Sequence, residues 1–322
     1  MFEFEKDFIL LLITIYQLFS IMTTSRRTFL KNSVVLLAGT ALLSKTALAA
    51  KKPDEIVAIQ LYSVREDMKK DPIGTLTQLA KIGYKNVEHA NYIERKFYGF
   101  KPAEFKKILD DLGLKMPCGH TVMGKNHWDA EKKDFSDSWK YTVDDAAFMG
   151  QKYVISPSMD NNMRKTYDDM VRYMDVFNLC GELCQKSGMK FGYHNHSFEF
   201  SEKLNGIKVF DIMMQKMDPK LVLMQLDIGN MYIAGAKALD ILGQYPGRFE
   251  MIHVKDEIAV NTPEKYESAI LGKGIIPAKE AIDLGRKIGG TYVFIIEQES
   301  YQNLPPLECM KENYAVMKKW GY

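Results

Sequence analysis

Cysteine is scarce in this sequence, with 4 residues in a chain of 322. So few cysteines cannot form the dense disulfide lattice of a small secreted scaffold. Neither sign of charge is in large excess, because the chain has 43 lysines and arginines and 41 aspartates and glutamates. A net charge of +2 provides no basic surface for a nucleic-acid backbone, so we expect no nucleic-acid partner. Disorder is excluded by 3 Trp, 17 Tyr and 17 Phe, which are enough aromatic residues to build a core.

The N-terminal segment contains the parts of an export signal. Residues 25–31 read Ser-Arg-Arg-Thr-Phe-Leu-Lys, and the apolar run Val34–Leu43 and the small-residue site Ala47-Leu48-Ala49 follow. This order is typical of a cleaved signal peptide, and the arginine pair is similar to the twin-arginine type, whose cargo crosses the membrane already folded. The run is too short to span ~30 Å of hydrocarbon, so we expect no stable membrane insertion of the mature chain. The sequence therefore predicts a periplasmic protein.

A second apolar run, Phe8–Ile21, precedes this signal and follows an acidic stretch. Acidic residues do not suit the start of a signal peptide, and two signals in tandem make little sense. We interpret the run as a spurious extension upstream of Met22, the start we expect. Residues 1–50 then form the extension plus the signal, and residues 51–322 form the mature domain.

A repeated unit organises the chain from residue 56 onward. Each unit has a short apolar run and then an amphipathic segment, and a glycine often joins that segment to the next run. The copies are Gly83-Tyr84-Lys85, Gly113-Leu114-Lys115 and Gly188-Met189-Lys190, with Gly150-Gln151-Lys152 as a looser one. Glycine suits the left-handed position after a helix, so each copy predicts the end of a helix and the start of a strand.

This repeat predicts eight strands separated by helical segments. The predicted strands are Ile56–Tyr62, Tyr84–His89, Leu114–His120, Tyr153–Pro157, Met189–His196, Leu221–Asp227, Phe249–Lys255 and Tyr292–Glu297. Such alternation predicts parallel βαβ units, and eight of them in about 270 residues predict an α/β protein with a single (β/α)8 barrel. A doubly wound open sheet is the alternative, but no glycine-rich phosphate loop follows the first strand.

Histidines and carboxylates concentrate at the carboxyl ends of these strands. They are His89, His120, His194, His196 and His253, together with Glu88, Asp227, Asp256, Glu297 and Glu299. Barrel active sites occupy this face, and buried charged groups are costly unless they are paired or coordinate a metal. Imidazole with carboxylate suits Mn, Zn, Co or Fe better than Mg or Ca. The pattern predicts one divalent metal ion, with Mn, Zn or Co preferred.

Five motifs occur in order along the chain. They are Ile59-Gln60-Leu61-Tyr62-Ser63-Val64-Arg65, Gly192-Tyr193-His194-Asn195-His196, Gln225-Leu226-Asp227, His253-Val254-Lys255-Asp256 and Ile296-Glu297-Gln298. The series resembles the xylose isomerase-like barrel superfamily, and within it the sugar phosphate isomerase/epimerase group, from about residue 55 to the C-terminus. Ketose 3-epimerases of this kind hold one metal with Glu, Asp, His and Glu on their last four strands. The resemblance implies that Asp227, His253 and Glu297 are ligands and that Glu88 and His120 line the substrate pocket.

The fifth strand departs from the epimerase pattern, because His194 occupies the position of the first glutamate. Side chains alternate along a strand, so His196 points the same way as His194, and Glu299 the same way as Glu297. Each pair therefore leaves a choice of ligand open. The predicted ligand set is His194, Asp227, His253 and Glu297. The predicted catalytic residues are Glu297, His194, Lys255 and Glu88, and the predicted substrate-binding residues are His120, Trp128, Tyr62 and His196.

The leading interpretation is an exported, metal-dependent sugar isomerase or epimerase. It would remove a proton next to a carbonyl through a metal-bound enediolate, on a small carbohydrate without a phosphate. Because His194 replaces one of the two bases of an epimerase, a lyase or dehydratase acting on keto sugars or 3-keto-glycosides is the alternative. A non-catalytic carbohydrate-binding barrel is the candidate from another class. A nuclease, which the superfamily also contains, is disfavoured by the net charge and by export. A homodimer is the oligomer we would expect first.

The export signal can be tested by changing its arginine pair. Replacing Arg26 and Arg27 together with lysine should stop secretion if the twin-arginine pathway reads this segment, as immunoblots of periplasmic fractions would show. Lys31→Arg is the control, since it keeps the charge of the same segment. Unchanged secretion of the double variant would indicate another export route.

Overall fold

The computed structural model describes residues 54–322, so the predicted export signal lies outside the described residues. Eight parallel strands form a closed barrel. They are β1 (Ile56–Gln60), β2 (Asn86–His89), β3 (Lys115–His120), β4 (Tyr153–Ser156), β5 (Lys190–His194), β6 (Val222–Asp227), β7 (Met251–Val254) and β8 (Val293–Ile296). Each strand pairs with its neighbour in chain order, and β8 closes on β1. The predicted (β/α)8 barrel is confirmed, and the open sheet is excluded.

Helices surround the strands. They are α1 (Arg65–Lys70), α2 (Pro72–Ile82), α3 (Pro102–Asp111), α4 (Asp137–Phe148), α5 (Tyr167–Lys186), α6 (Phe198–Ser201), α7 (Val209–Lys216), α8 (Ile228–Ile233), α9 (Ala238–Gln244), α10 (Ala278–Leu284) and α11 (Pro306–Trp320). Short 3-10 turns at Leu61–Val64, Lys125–His127 and Asn161–Met163 and a π turn at Gly285–Gly289 complete the set. Within residues 54–322, no helix combines the length and apolar character needed to cross a membrane.

The glycine joints end helices as the sequence predicts. Gly83, Gly113, Gly150 and Gly188 have φ angles of 125°, 66°, 79° and 73°. Positive φ angles are energetically unfavourable for residues that carry a Cβ atom. Each of these residues lies just after a helix and shortly before a barrel strand. The repeat in the sequence is therefore the repeat of the fold.

An apolar layer and a polar layer of side chains meet inside the barrel. The lower layer is apolar and includes Ala58, Cys118, Leu223, Met251 and Ile295, all buried. Two residues further along the same strands, and hence on the same face, the side chains become polar. These upper residues are Gln60, His120, Gln225, His253 and Glu297. The change from apolar to polar within one strand step places a polar floor at the carboxyl end of the barrel.

Four small antiparallel hairpins extend the loops at this end, and the sequence pattern did not predict them. They pair Tyr92–Ile93 with Lys96–Phe97, Trp128–Asp129 with Asp134–Phe135, Lys203–Leu204 with Ile207–Lys208, and Asp256–Ala259 with Tyr266–Ala269. They follow β2, β3, β5 and β7, so each builds part of the rim above the polar floor.

Asp256 holds the loop that follows β7. Its fully buried carboxylate accepts hydrogen bonds from the backbone N–H groups of Glu257 (2.9 Å), Gly272 (2.8 Å), Gly274 (2.9 Å) and Ile276 (3.0 Å). The sequence grouped Asp256 with the carboxylates of the site. The structure corrects this grouping, because both of its oxygens are committed to the backbone.

Replacing Asp256 with alanine should lower the free energy of unfolding by about 3 kcal/mol, because several buried N–H donors lose their acceptor. Urea denaturation measures the change. Asp256→Asn keeps one acceptor oxygen and should lose less. Asp175→Ala, an exposed position on α5, is the control and should stay within about 0.5 kcal/mol of the wild type. Equal stability of the Asp256 and Asp175 alanine variants would contradict the assigned role.

Candidate functional site

Four buried side chains meet at the polar floor. His194 and Asp227 end β5 and β6, His253 lies in β7, and Glu297 follows β8 directly. One nitrogen or oxygen of each lies within 4.8 Å of those of the other three. The structure thus brings together the four residues that the sequence predicts as metal ligands. His196 and Glu299 are outside this cluster and line the cavity above it.

The unpaired oxygen of Asp227 tests whether these residues suit a cation. Its Oδ1 accepts from the Asn230 backbone N–H at 2.6 Å, whereas its buried Oδ2 has no hydrogen-bond partner. This oxygen lies 3.8 Å from His194 Nε2 and 3.8 Å from Lys255 Nζ. A buried unpaired acceptor is costly, and burial is the main reason that the pKa of Asp227 is raised to about 8. A divalent ion would remove that cost, and two imidazoles with two carboxylates fit one.

Glu88 lies beside this cluster, between the polar layer and the apolar layer. Its strand partners are Gln60 on β1 and Cys118 on β3, and Cys118 is two residues before His120. The carboxylate accepts from Gln60 Nε2 (2.7 Å), Gln225 Nε2 (2.8 Å) and His253 Nε2 (2.6 Å), and it is fully buried. Glu88 does not line the cavity, which corrects the predicted pocket-lining position. Its predicted catalytic role stays a prediction.

The ionised state of Glu88 determines how its neighbours are oriented. Burial would raise its pKa, but His120 and His253 outweigh burial and lower the pKa to about 2. A carboxylate only accepts hydrogen bonds, so Gln225 must turn its amide nitrogen towards Glu88 and its oxygen away. That oxygen accepts from His194 Nδ1 (3.0 Å) and from His120 Nε2 (2.8 Å). His194 Nε2 is consequently left without a proton and faces Asp227.

The same network gives His253 and His120 different hydrogen-bond partners and different pKa values. His253 donates from Nε2 to Glu88, and its Nδ1 lies 3.0 Å from Glu297 Oε2. Burial would lower the pKa of His253, but these two carboxylates outweigh burial and raise it to about 10. A metal ion at Nδ1 would therefore displace a proton. His120, His194 and His253 also lie close enough for a three-histidine site, but both ring nitrogens of His120 are engaged, by Gln225 and Gln60.

Lys255 is a buried cation beside the cluster. Its Nζ donates to Asn230 Oδ1 (3.2 Å) and to Glu299, and it lies 3.8 Å from Asp227 and 3.7 Å from Glu297. Burial would lower its pKa, but the surrounding carboxylates outweigh burial and raise it. Lys255 does not line the cavity. Lys255 is protonated and so cannot serve as a base. Its predicted catalytic role stays a prediction.

A cavity of about 640 Å³ opens above the cluster. Of the predicted site residues, Tyr62, His120, His194, His196 and Glu297 line it. Burial lowers the pKa of His120, His194 and His196, so these imidazoles are neutral near pH 7.

Trp128 is placed elsewhere. Its ring packs against Phe135 at 4.9 Å and lines a separate depression, because the hairpin after β3 turns it away while His127 lines the main cavity. The prediction of Trp128 as a substrate-binding residue is corrected accordingly. The sequence also missed Arg95 and Tyr141, which line the cavity and whose positions carried no recognisable motif. Gln60 and Gln225 stood within the quoted motifs, but their orienting role was not recognised.

Comparison with known proteins identifies the class to which this site belongs. Residues 76–320 match the family described as Xylose isomerase-like TIM barrel. The chain belongs to this family, which confirms the resemblance seen in the sequence.

Several relatives are named inosose dehydratases. The one from Geobacillus kaustophilus (strain HTA426) is 25% identical over 232 residues, which cover 65% of this chain and 71% of that protein. The one from Clostridium beijerinckii (strain ATCC 51743 / NCIMB 8052) is 32% identical over 212 residues, covering 58% and 69%.

Solved structures share the fold. A sugar phosphate isomerase/epimerase from Parabacteroides distasonis ATCC 8503 has a TM-score of 0.71 and 23% identity, covering 84% of this chain and 96% of that chain. An IolI protein with a bound zinc atom has a TM-score of 0.64 and 14% identity, covering 82% and 97%.

Glu88→Gln tests the orienting network. An amide at this position also donates, so Gln225 can turn over and the tautomers of the histidines change. We expect binding of Zn²⁺ or Mn²⁺ to metal-free protein to weaken about 10- to 100-fold, measured by titration calorimetry. Glu199→Gln is the matched control. Glu199 is equally buried but bonds the Tyr193 hydroxyl (2.6 Å) and the His196 backbone (2.9 Å). Unchanged affinity in Glu88→Gln would refute the role.

Proposed function

We propose that the protein is an exported, metal-dependent lyase that removes water or an alcohol from the carbon β to a ketone in a cyclic, sugar-like substrate. The family supports a small carbohydrate substrate. The dehydratase relatives support the reaction type, because an inosose is a cyclic polyhydroxy ketone and a dehydratase removes water from it.

One observation carries the choice of elimination over epimerisation: the position on β5 that faces the cluster holds His194 and not a carboxylate. An epimerase needs a base on each side of the reacting carbon. β5 and β8 lie three places apart in the ring of eight strands and so nearly face each other. The carboxylates that line the cavity are Glu297 and Glu299, directly after β8, and Glu94 on the hairpin after β2. Among the described residues that line the cavity, the β5 side offers the neutral imidazoles of His194 and His196.

His194, Asp227, His253 and Glu297 would hold the metal ion. Bound there, a divalent ion would supply Lewis acidity to the ketone oxygen and its neighbouring hydroxyl. Lys255 stabilises the charged forms of Glu297 and Asp227. Burial nevertheless leaves the pKa of Asp227 at about 8. Burial would raise the pKa of Glu297, but Lys255 and His253 outweigh burial and hold it well below the usual range.

A single carboxylate can complete an elimination. Glu297 removes the proton from the carbon next to the ketone, and the electrons of that C–H bond form the new C=C bond. The bond from the next carbon to its oxygen breaks, and Glu297 returns the proton to that oxygen on the same face. The products are an unsaturated ketone and water or an alcohol, and Glu297 is restored. His120 and His196 line the cavity and can orient substrate hydroxyl groups.

His194→Glu tests this proposal by restoring a second carboxylate. Wild-type protein loaded with Mn²⁺, Zn²⁺ or Co²⁺ should convert an inosose in D2O to an unsaturated ketone, followed by NMR. In His194→Glu, the ratio of deuterium exchange or epimerisation to elimination should rise about tenfold or more, since a positioned base contributes about 10²- to 10⁴-fold. Asp227→Asn is the control for metal dependence and should lose both reactions. Deuterium uptake without elimination in the wild type would favour the isomerase interpretation instead.

A further inference from the structure

The cavity extends well beyond the metal-ligand cluster. All four candidate ligands come from β5–β8, whereas the other half of the cavity is built by segments that follow β1–β4. Tyr62 follows β1, Ile93 and Arg95 lie on the hairpin after β2, and Tyr141 lies on α4. We infer that this outer half binds a second, uncharged ring joined to the reacting one, so that the substrate is a keto-glycoside. The inference rests on the proposed function and names its substrate class.

The size of the cavity supports a two-ring occupant. Its volume of about 640 Å³ lies within the ~300–1,000 Å³ typical of pockets for drug-sized ligands. A single polyol ring held at the cluster would leave the outer half to water. A second ring attached through a glycosidic oxygen would fill it.

The outer half presents flat and apolar surfaces. Tyr62, Tyr141 and Ile93 are 43%, 44% and 62% exposed, and all three line the same cavity. Large apolar side chains gathered at one exposed place indicate a binding surface more than scattered ones do. Aromatic rings offer a large contact area with a polar edge, which suits sugar and aryl rings alike.

One ion pair holds the outer half of the cavity in place before any ligand binds. Asp145 is buried on α4 and receives two bonds from the Arg95 guanidinium, at 2.7 and 3.0 Å, and one from the Tyr92 hydroxyl at 2.6 Å. The Arg95 guanidinium also lies 4.4 Å from the centre of the Tyr141 ring. The hairpin is thereby tied to α4, so little ordering entropy remains to oppose binding.

The charges that line the outer half of the cavity disfavour a phosphate group. Among the described residues that line the cavity, Arg95 is the one lysine or arginine, and its guanidinium is already paired with Asp145 in bidentate fashion. Glu94 and Glu299 line the cavity as well and would repel an anion. An uncharged sugar or aryl group therefore fits the outer half better than a phosphorylated one.

A glycoside fits the same proton balance. The proton leaves the carbon between the ketone and the glycosidic carbon, and the C=C bond forms there. The bond from the glycosidic carbon to its oxygen breaks, and that oxygen takes the proton and departs as an alcohol with the second ring. No oxidant or reductant is needed. Glu297 acts as in the loss of water.

The test compares a two-ring substrate with a one-ring substrate. The measured ratio is kcat/KM for phenyl 3-keto-glucoside divided by kcat/KM for an inosose. It should fall about three- to tenfold in Tyr141→Ala and in Ile93→Ser, because the lost surface serves mainly the phenyl ring. Tyr141→Phe should keep the ratio. Phe148→Ala is the matched control: Phe148 is 54% exposed on the same helix and lies outside the cavity. A ratio that stays the same in Tyr141→Ala and Ile93→Ser would overturn the second-ring site and leave the lyase proposal standing.

A binding measurement separates this inference from the proposed reaction. Phenyl glucoside, which carries no ketone and cannot react, should bind wild-type protein more tightly than methyl glucoside does, and Tyr141→Ala should remove the difference. This result would support the second-ring site even if no elimination were detected. Tighter binding of glucose 6-phosphate than of glucose would contradict the uncharged occupant.

Discussion

The buried carboxylate of Glu88 determines the hydrogen-bond directions beneath the candidate metal cluster. It takes three donors, from Gln60, Gln225 and His253. Because an ionised carboxylate cannot donate, it leaves those three partners a single arrangement. Through Gln225 the constraint reaches His194, whose free nitrogen must then face Asp227. Glu88, which does not line the cavity, thus orients the imidazoles of His194 and His253 for metal binding. Outer carboxylates commonly orient histidine ligands in this way.

The two halves of the barrel carry different parts of the candidate site. β5–β8 carry the four candidate ligands, and the segments after β1–β4 carry the open wall with Tyr62 and Tyr141. Under the proposed function, chemistry and substrate choice would lie on different parts of the chain. A change in the hairpin after β2 would then alter the proposed second-ring site without moving Asp227 or His253.

Local patterns in the sequence sufficed for the barrel itself. Glycines that end helices and apolar runs that alternate with amphipathic segments act within a few residues, so the eight strands and their order could be predicted. The four hairpins could not, because each strand is only two to four residues long and too short to show a periodicity. Ligand types were predictable because their strands end at the same face of the barrel.

The side chains that face the barrel interior could be inferred from the sequence, since alternation along a strand is a local property of the chain. The sequence did not determine their depth, which depends on how neighbouring strands are staggered. The register pairs Glu88 with Gln60 of the polar layer and with Cys118 of the apolar layer, and it pairs Asp227 with His253. Glu88 therefore lies between the two layers, and Asp227 lies level with its fellow ligand. At this depth Glu88 contacts His253 and Gln225 and does not line the cavity. This depth could not be inferred from the sequence, because the stagger arises from pairing between residues far apart in the chain.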